Sequence, residues 1–279
     1  MRNTSLPQEL FDAVRSGHEL AGDSLRGDAL VRWYEQEKEA FFEGGADSGP
    51  SDPWYAYMRF VNDRLVFREL ERRDQGDILF LGAAEGTEAV DFHRRRPAWR
   101  LHFLEASDNF RARLTAQFPG AAIIEPDPAG RMPIADASLD AVCAFCVLHH
   151  IANVSEVLGE VARVLKRGGQ FFVREPCSSM GDWRGPRSAT PNERGISRHW
   201  MIRTAAEVGL SPHDRPIPVV FEPINKTLVR TIGYRLVPRQ ILYVVDRLLS
   251  ALVALNDHYW RDTTLKKIGP SSYHYRFRK

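Results

Sequence analysis

The sequence has little cysteine and no long apolar run. Its three cysteines, Cys143, Cys146 and Cys177, provide no disulfide framework, which favours a reducing compartment. No stretch contains the roughly 20 consecutive apolar residues that a membrane-spanning helix requires. The first residues, Met1–Gly22, mix polar with apolar side chains and do not resemble a signal peptide. We therefore expect a cytoplasmic protein without a membrane span.

The sequence also lacks the motifs of several enzyme classes. It contains no Gly-x-Ser-x-Gly hydrolase motif, no cluster with zinc-ligand spacing and no Asn-Pro-Pro-Tyr signature of DNA amino-methylating enzymes. Cys143 and Cys146 have the spacing of a metal or redox pair, but they fall within a predicted strand, where side chains three apart point to opposite faces. We therefore expect no metal site.

A large excess of one charge is missing as well, although charge is unevenly distributed. Residues 1–76 carry 10 basic and 15 acidic side chains, residues 77–221 carry 17 of each, and residues 222–279 carry 11 basic and 4 acidic ones. The basic C-terminal segment could face an anionic acceptor, a membrane surface or the acidic N-terminal segment. These alternatives stay open from the sequence.

Hydrophobic periodicity divides the chain into four parts. Helical spacing predicts an N-terminal helical lid over residues 1–76. From residue 77 to residue 221, short apolar runs alternate with helical stretches, which predicts an α/β, Rossmann-like, doubly wound and mostly parallel sheet. The predicted strands of this core are Ile78–Leu81, Leu101–Leu104, Ala121–Ile124, Ala141–Val147, Gln170–Val173 and Val219–Phe221.

The last two parts follow this core. Residues 222–270 predict a helical cap or insertion, and its apolar stretch Ile241–Leu255 could form a contact between two subunits or cover the acceptor pocket. Residues 271–279 alternate between aromatic and basic side chains, which predicts a final, antiparallel strand of the core sheet.

A turn of small residues follows the first predicted strand. Gly82-Ala83-Ala84-Glu85-Gly86 would let the backbone approach a ligand closely at the start of a helix. Glu105 ends the second predicted strand, 19 residues beyond Gly86, where a carboxylate can accept hydrogen bonds from both hydroxyls of a ribose. The turn and the acid together indicate an adenosine-containing cofactor.

Three further segments identify the cofactor class: Met132–Val142, Val147–Ile151 and Glu160–Gly169. With the turn, they resemble the class I S-adenosylmethionine-dependent methyltransferases (type 11-like), and among them small-molecule and sugar O-methyltransferases. The resemblance runs from Asp77 to about Leu210. It implies a Rossmann-like fold and S-adenosyl-L-methionine as cofactor.

The resemblance also assigns cofactor contacts to individual positions. The turn would lie beneath the methionine part, Glu105 would bind the ribose, Ala106 would flank the adenine, and Asp127 would lie near the adenine amino group. The assigned residues are Gly82, Ala83, Ala84, Gly86, Glu105, Ala106, Asp127, Phe145 and Cys146.

Two positions depart from the family pattern. The family usually has an acid where Phe80 stands and a glycine where Ala84 stands. The acid normally helps to hold the amino group of the cofactor, so its role could move to Glu85. The departures also leave open a degenerate domain that binds the cofactor without methylating.

A candidate base follows the fourth and fifth strands. His149, His150 and Glu175 stand at the carboxyl edge, where open sheets bind ligands. A His–Glu pair suits the deprotonation of an acceptor near neutral pH, and we slightly prefer His150 for this role. The histidine pair could instead cap the following helix.

Further candidates lie in two other segments. The polar loop Gly181–His199 offers Glu193, Arg194 and His199 as contacts for the acceptor. The N-terminal helices offer four aromatic side chains that could cap the cofactor or simply pack: Trp33, Tyr34, Trp54 and Tyr57.

The sequence thus predicts methyl transfer from S-adenosyl-L-methionine to a hydroxyl of a small molecule, such as a sugar, glycan or secondary metabolite. The alternatives are a scaffold domain without turnover, and an RNA or protein methyltransferase that uses the basic C-terminal segment. We expect no nucleic-acid partner and consider a homodimer through Ile241–Leu255.

Overall fold

Helices form the N-terminal part of the protein. The computed structural model describes residues 8–43, 53–180, 192–220 and 239–279. Helices α1 and α2 precede a third helix, which continues through a π-helical turn and a short last segment. Their bounds are Gln8–Ser16 for α1, Gly27–Glu43 for α2, Pro53–Asn62 for α3, Asp63–Phe67 for the π-helical turn and Arg68–Leu70 for α4.

A mixed sheet with flanking helices follows. The strands are β1 (Gly76–Leu81), β2 (Trp99–Leu104), β3 (Ala122–Ile124), β4 (Leu139–Phe145), β5 (Leu165–Pro176), β6 (Ser211–Pro212), β7 (Ile217–Val219) and β8 (Ser272–Arg278). The helices are α5 (Thr87–Arg95), α6 (Asp108–Gln117), α7 (Val154–Val164), α8 (Arg198–Glu207) and α9 (Arg239–Val253).

The sheet has the order β3-β2-β1-β4-β5-β8-β6, and β7 also pairs with β8. The first five of these strands run parallel, whereas β8 is antiparallel to β5, with Val173 opposite Tyr275. This arrangement confirms the predicted Rossmann-like, mostly parallel sheet with an antiparallel final strand. Phe221, the last residue of the predicted strand Val219–Phe221, lies outside the described residues.

Both faces of the sheet are buried, which explains the continuous apolar strands in the sequence. Leu79 and Leu81 of β1 pack into the core cluster that contains α7 and α8. Ile78 and Phe80, which point to the other face, pack into the cluster that contains Phe92 of α5. Each face of β1 therefore has its own helical layer.

The order of the strands also fixes where a ligand can bind. From β1 the chain moves outward through β2 and β3, and then returns to place β4 on the other side of β1. At such a switch point, the loops that leave the carboxyl ends of β1 and β4 diverge and open a crevice.

Helix α9 lies away from this crevice. It packs against α3 and β7, and the hydroxyl of Tyr57 donates a 2.6 Å hydrogen bond to the Asp246 carboxylate. No residue of 239–279, which includes the described part of the predicted cap, lines the main cavity. Residues 222–238 lie outside the described residues. Of the two alternatives for Ile241–Leu255, the described residues give no support to a cover over the acceptor pocket, and the contact between two subunits stays a prediction.

Within the described residues, no helix is both long enough and apolar enough to cross a membrane.

Candidate active site

A cavity of about 530 Å³ opens at the switch point between β1 and β4. Its walls come from the turn after β1, the ends of β2 and β4, and the side of α2. Helix α2 contributes Trp33, Tyr34, Glu37 and Lys38. The volume lies within the range of about 300–1,000 Å³ that is typical of small-molecule sites.

Two glycines allow the backbone to form the floor of this cavity. Gly82 has φ +63°, and a Cβ there would lie 2.0 Å from Cγ2 of Val147. Gly86 has φ +71°, and a Cβ there would lie 2.6 Å from the ring of Phe118. Neither position can hold a side chain without displacement of its neighbours. The turn therefore presents bare backbone to the cavity directly before α5.

Ala84 lies between these glycines in a conformation that favours glycine. Its φ is +46°, in the left-handed region, and its N–H donates a 2.7 Å hydrogen bond to Oε2 of Glu105. A left-handed residue with a Cβ costs roughly 1–2 kcal/mol. The turn keeps the shape of a glycine turn at this position despite the alanine.

We expect Ala84→Gly to stabilise the protein by about 0.5–1 kcal/mol, because relief of the left-handed strain exceeds the added entropy of the unfolded chain. Urea unfolding measures this difference. Ala83→Gly is the matched control, because Ala83 is not among the residues with positive φ and should lose stability. Equal destabilisation by both substitutions would contradict the strain argument.

Glu105 lies at the end of β2 and faces the cavity. It is 8% exposed and accepts hydrogen bonds from the backbone N–H groups of Ala84 (2.7 Å) and Ser107 (2.9 Å). Burial raises the pKa of this carboxyl group, although the two backbone hydrogen bonds oppose the rise. Two backbone donors thus hold the carboxylate at the cavity wall, and its remaining lone pairs can accept further hydrogen bonds.

At the position where the family usually has an acid, this protein has a phenylalanine that belongs to an aromatic cluster. Phe80 stacks on Phe103, with ring centroids 5.5 Å apart, and also lines the cavity. Glu85 is nearby and 6% exposed; its Oε1 accepts a hydrogen bond from Arg113. Its other oxygen, Oε2, is buried without a hydrogen-bond partner among the described residues. A buried carboxylate oxygen of this kind can accept a hydrogen bond from a ligand ammonium group.

The other positions assigned to the cofactor also line the cavity. Ala83 belongs to the turn, Ala106 follows Glu105, and Phe145 and Cys146 end β4. Asp127 is more exposed, and its Oδ1 accepts a hydrogen bond from the N–H of Ala129 within its own loop. The structure therefore brings the whole predicted cofactor set to one cavity.

Two of the three predicted catalytic residues, His149 and Glu175, form a buried pair at the cavity. Glu175 is 0% exposed; its Oε1 accepts hydrogen bonds from the N–H groups of Val147 (2.9 Å) and Leu148 (2.8 Å). Its Oε2 lies 2.7 Å from Nδ1 of His149. His149 lines the cavity, but Glu175 does not. Glu175 is thus placed to orient His149 rather than to touch an acceptor.

His150 has a second carboxylate partner. Its Nδ1 lies 2.8 Å from Oε2 of Glu37 on α2, and its ring centroid lies 4.0 Å from that of His149. Burial and the neighbouring charge of His149 lower the pKa of His150, although Glu37 opposes the change. Burial also acts to lower the pKa of His149, but Glu175 and Glu193 outweigh it and raise that pKa to about 9. The pKa values of the two neighbouring imidazoles are therefore shifted in opposite directions.

The predicted acceptor contacts separate into one that lies at the cavity and two that do not. Glu193 lines the cavity, and its Oε1 lies 3.6 Å from Nε2 of His149. Arg194 is 0% exposed and donates to backbone carbonyls, including those of Ala21 (2.8 Å) and His149 (2.8 Å). Arg194 thus ties the chain beside the histidines to the loop after α1. The prediction that Arg194 contacts the acceptor is wrong, because its guanidinium donates its hydrogen bonds to these backbone carbonyl groups.

The prediction for His199 is also wrong. Its exposed side chain packs edge-on against His18, with centroids 5.2 Å apart, and it does not line the cavity. Most of the loop that suggested these contacts, residues 181–191, lies outside the described residues.

Of the four aromatic candidates from the N-terminal helices, two lie at the cavity. Trp33 and Tyr34 line the cavity. Tyr57 is fully buried against α9, and the side chain of Trp54 lies outside the described residues.

Sequence reasoning missed Glu37, although it belongs to the site. It is 6% exposed, lines the cavity and holds His150. Its signal in the sequence is its position three residues after Tyr34 and four after Trp33, on one helix face. A carboxylate beside aromatic residues on a helix is too common to be selected without knowledge of the fold.

Comparison with known proteins supports this reading of the fold. Residues 79–173 match the family described as a methyltransferase domain. A "Probable S-adenosylmethionine-dependent methyltransferase" of Mycolicibacterium smegmatis is 31% identical over 121 residues, which cover 42% of this chain and 45% of that protein. The dimethylglycine N-methyltransferase of Parasynechococcus marenigrum is 26% identical over 178 residues, which cover 58% of this chain and 61% of that protein.

A solved structure shares the fold at low sequence identity. The geranyl diphosphate C-methyltransferase of Streptomyces coelicolor, in complex with Mg²⁺, geranyl diphosphate and S-adenosyl-L-homocysteine, aligns with a TM-score of 0.53 and 13% identity. The alignment covers 74% of this chain and 71% of that one.

Residues 79–173 are therefore similar to the methyltransferase domain family and to an S-adenosylmethionine-dependent relative, in agreement with the resemblance that the sequence motifs showed. This chain spans about half the length of the curated relatives that it matches. One of these relatives is named an N-methyltransferase, so the comparisons leave the methylated atom undefined.

Proposed function

We propose that this protein transfers the methyl group of S-adenosyl-L-methionine to a hydroxyl group of a small molecule. One observation carries the proposal. A single cavity joins a glycine turn and ribose acid at one end to two imidazoles, each held by a buried carboxylate, at the other. The first end fits the cofactor and the second fits an acceptor that must lose a proton.

The residues at the first end fit S-adenosyl-L-methionine. Gly82 and Gly86, where a Cβ would collide with Val147 and Phe118, let the turn line the cavity with backbone that the cofactor could approach closely. Glu105 would accept hydrogen bonds from the ribose hydroxyls, and the unpartnered Oε2 of Glu85 would accept one from the amino group. Asp127 would lie at the adenine. When bound, the cofactor supplies a methyl group on a sulfonium, which a nucleophile takes by in-line displacement.

The residues at the second end would prepare the acceptor. A hydroxyl group is a weak nucleophile until its proton is removed, and a positioned base typically contributes 10²–10⁴-fold. His150 lines the cavity with Nδ1 held by Glu37, so its other ring nitrogen is the one that can take the hydroxyl proton. His149 and Glu193 would hold the acceptor beside it. This arrangement favours a hydroxyl over a carbon acceptor.

The N-terminal helices would close the cavity over both ligands. Helix α2 supplies Trp33, Tyr34, Glu37 and Lys38 to the wall. We infer that residues 1–76 act as a lid on the core of residues 77–221, and that this lid positions Glu37 against His150 when it is closed.

A panel of acceptors tests the proposed function. Purified protein is incubated with labelled cofactor and with sugars, phenols and other alcohols, and with amines of matched size. Formation of S-adenosylhomocysteine and a methyl ether by mass spectrometry is the expected result. Methylation of amines alone would overturn the hydroxyl assignment.

A cofactor-binding scaffold without turnover is the second candidate, and the strained Ala84 and the aromatic Phe80 favour it. Tight binding of S-adenosylhomocysteine without turnover across the panel would support this alternative. An RNA substrate has less support. In the basic C-terminal segment, Arg276 pairs with Asp214 and Lys266 pairs with Asp262, so these two charges already have acidic partners.

Helix α9 supports the proposal of a homodimer. Ile241, Val244, Leu248, Leu252 and the following Leu255 recur at helical spacing and are 49–86% exposed. A continuous apolar stripe on an otherwise polar surface marks an interaction site, and two copies of one helix can bury the same stripe against each other.

We expect Leu248→Glu to convert the dimer to a monomer, because it places a charge in the centre of the apolar contact. Light scattering coupled to size-exclusion chromatography measures the mass. Val31→Glu is the matched control, because Val31 is an exposed apolar residue on α2. A wild-type protein that is monomeric at high concentration would refute the dimer.

A further inference from the structure

Three side chains at the acceptor end of the cavity have the composition of a metal site. His149, His150 and Glu193 each offer one donor atom, and these atoms all lie within 4.8 Å of one another. Within residues 8–43, 53–180, 192–220 and 239–279, they are the one group of three His, Cys, Asp or Glu side chains that could hold an ion. The three ligands come from two distant segments, so no spacing in the sequence indicates a metal site at these residues.

The two imidazoles are oriented as metal ligands usually are. Histidines that bind a metal nearly always donate the second ring N–H to a carboxylate or carbonyl, which fixes the ring and makes the ligating nitrogen more basic. Here Nδ1 of His149 lies 2.7 Å from Glu175, and Nδ1 of His150 lies 2.8 Å from Glu37. Both carboxylates are buried, at 0% and 6% exposure. In each ring, Nε2 is the nitrogen on the side away from the supporting carboxylate.

The spacing and charge of the group also suit a cation. With metal–ligand bonds of about 2.0–2.2 Å, tetrahedral coordination separates two donors by about 3.4 Å. Nε2 of His149 and Oε1 of Glu193 are 3.6 Å apart, close to that separation. Three carboxylates, those of Glu37, Glu175 and Glu193, surround the two imidazoles. The buried guanidinium of Arg194 offsets one of these three negative charges, and a divalent cation would balance the other two.

We propose that His149, His150 and Glu193 bind one divalent first-row transition-metal ion, with Glu175 and Glu37 as supports of the two imidazoles. Two histidines and one carboxylate leave coordination positions open, as in catalytic rather than structural metal sites. Zn²⁺, Co²⁺, Mn²⁺ and Fe²⁺ share this ligand preference, whereas Mg²⁺ prefers oxygen ligands alone.

The metal would add to the proposed function. The role of the metal in catalysis rests on that function, whereas the binding of the metal does not. An acceptor hydroxyl bound at an open position would lose its proton to solvent more readily, because the cation stabilises the alkoxide. The oxygen would then form its bond to the methyl group as the bond between sulfur and methyl breaks. In the metal-bound protein, His150 is a ligand, and the cation rather than the imidazole makes the hydroxyl acidic.

Cobalt titration of the untagged protein, without cofactor or acceptor, tests the site. Co²⁺ bound by nitrogen and oxygen ligands at low coordination number gives visible absorption, and elemental analysis gives the stoichiometry. We expect one ion per chain in the wild type. His150→Ala and Glu193→Gln should each weaken binding by 100-fold or more, and Glu37→Gln by roughly 10-fold, the range for residues that support a ligand.

Two matched substitutions and two further measurements keep this test decisive. His199→Ala and Glu207→Gln remove an exposed histidine and an exposed glutamate outside the cavity, and they should leave Co²⁺ binding unchanged. Thermal unfolding and binding of S-adenosylhomocysteine show whether each variant is folded. Wild type that binds neither Co²⁺ nor Zn²⁺, or binding that survives both ligand substitutions, would overturn the metal site.

Activity after treatment with a chelator separates the two proposals. If metal binding is present but no hydroxyl is methylated, the proposed function fails and the site stands. If methyl transfer is unaffected by the chelator and the titration shows no metal, the metal proposal fails and the base assignment of His150 stands.

Discussion

Glu105→Ala is expected to lower the affinity for S-adenosylhomocysteine by 100-fold or more. The substitution removes the only acceptor that the proposed ribose contact uses, and each hydrogen bond to a charged group contributes about 1.5–3 kcal/mol. Because about 1.4 kcal/mol corresponds to a factor of ten, the loss of two such bonds is large enough for calorimetric titration to resolve clearly.

Glu105 also anchors the turn, so the experiment needs two controls. The carboxylate accepts hydrogen bonds from the N–H groups of Ala84 and Ser107, and alanine releases both. Glu105→Gln keeps the shape and one acceptor oxygen, and should lose less affinity than alanine. Glu156→Ala removes an exposed glutamate elsewhere and should bind like wild type. An affinity of Glu105→Ala within about threefold of wild type would disprove the ribose contact.

His150→Ala is expected to reduce kcat by 10²–10⁴-fold, the usual contribution of a positioned acid or base. Binding of S-adenosylhomocysteine should be retained, because His150 lies at the acceptor end of the cavity. The reduction is expected whether the imidazole takes the proton itself or holds a cation, since both routes need its ring nitrogen. Steady-state kinetics with an acceptor from the panel measure the change.

Glu175→Gln tests the positioning role in the same assay. The amide can still accept from the backbone N–H groups of Val147 and Leu148, but it cannot support a charged His149. We expect kcat to fall while KM for the cofactor stays unchanged. His199→Ala serves as the histidine control. Full activity in both His150→Ala and Glu175→Gln would remove the catalytic assignment.

The cofactor end of the site was predictable because its residues are local in the sequence. Gly82 to Gly86 form one continuous turn, and Glu105 follows at the end of the next strand. In a parallel sheet, strand ends at the same edge are neighbours, so strand order alone brings these positions together. All of the positions assigned to the cofactor accordingly line one cavity.

The acceptor end was predictable only in part, because it is assembled from distant segments. His149 and His150 follow β4 and could be placed at the edge, but Glu37 reaches His150 from α2, 113 residues earlier in the chain. Nothing in the sequence specifies how helix α2 packs on the sheet. The geometry that suggests a metal site depends on this packing.

Arg194 was predicted to belong to the site but does not, whereas Glu37 belongs to the site but was not predicted. An arginine in a polar loop is usually exposed, and it was expected to meet an acceptor. Instead the tertiary fold buries it completely and satisfies its donors with four or more backbone carbonyls around the histidine segment. A buried guanidinium needs such partners, and only the folded chain can show that carbonyls converge there.

The sequence by itself determined the alternation of strands and helices, the glycine turn and the carboxylate at the end of the second strand, because hydrophobic periodicity and backbone sterics act over short stretches. Only the tertiary structure decided which carboxylate faces each histidine, which of the loop residues reaches the cavity and where α9 packs. These features depend on contacts between residues far apart in the chain, and such contacts are fixed by the packing of whole helices against the sheet rather than by any local pattern.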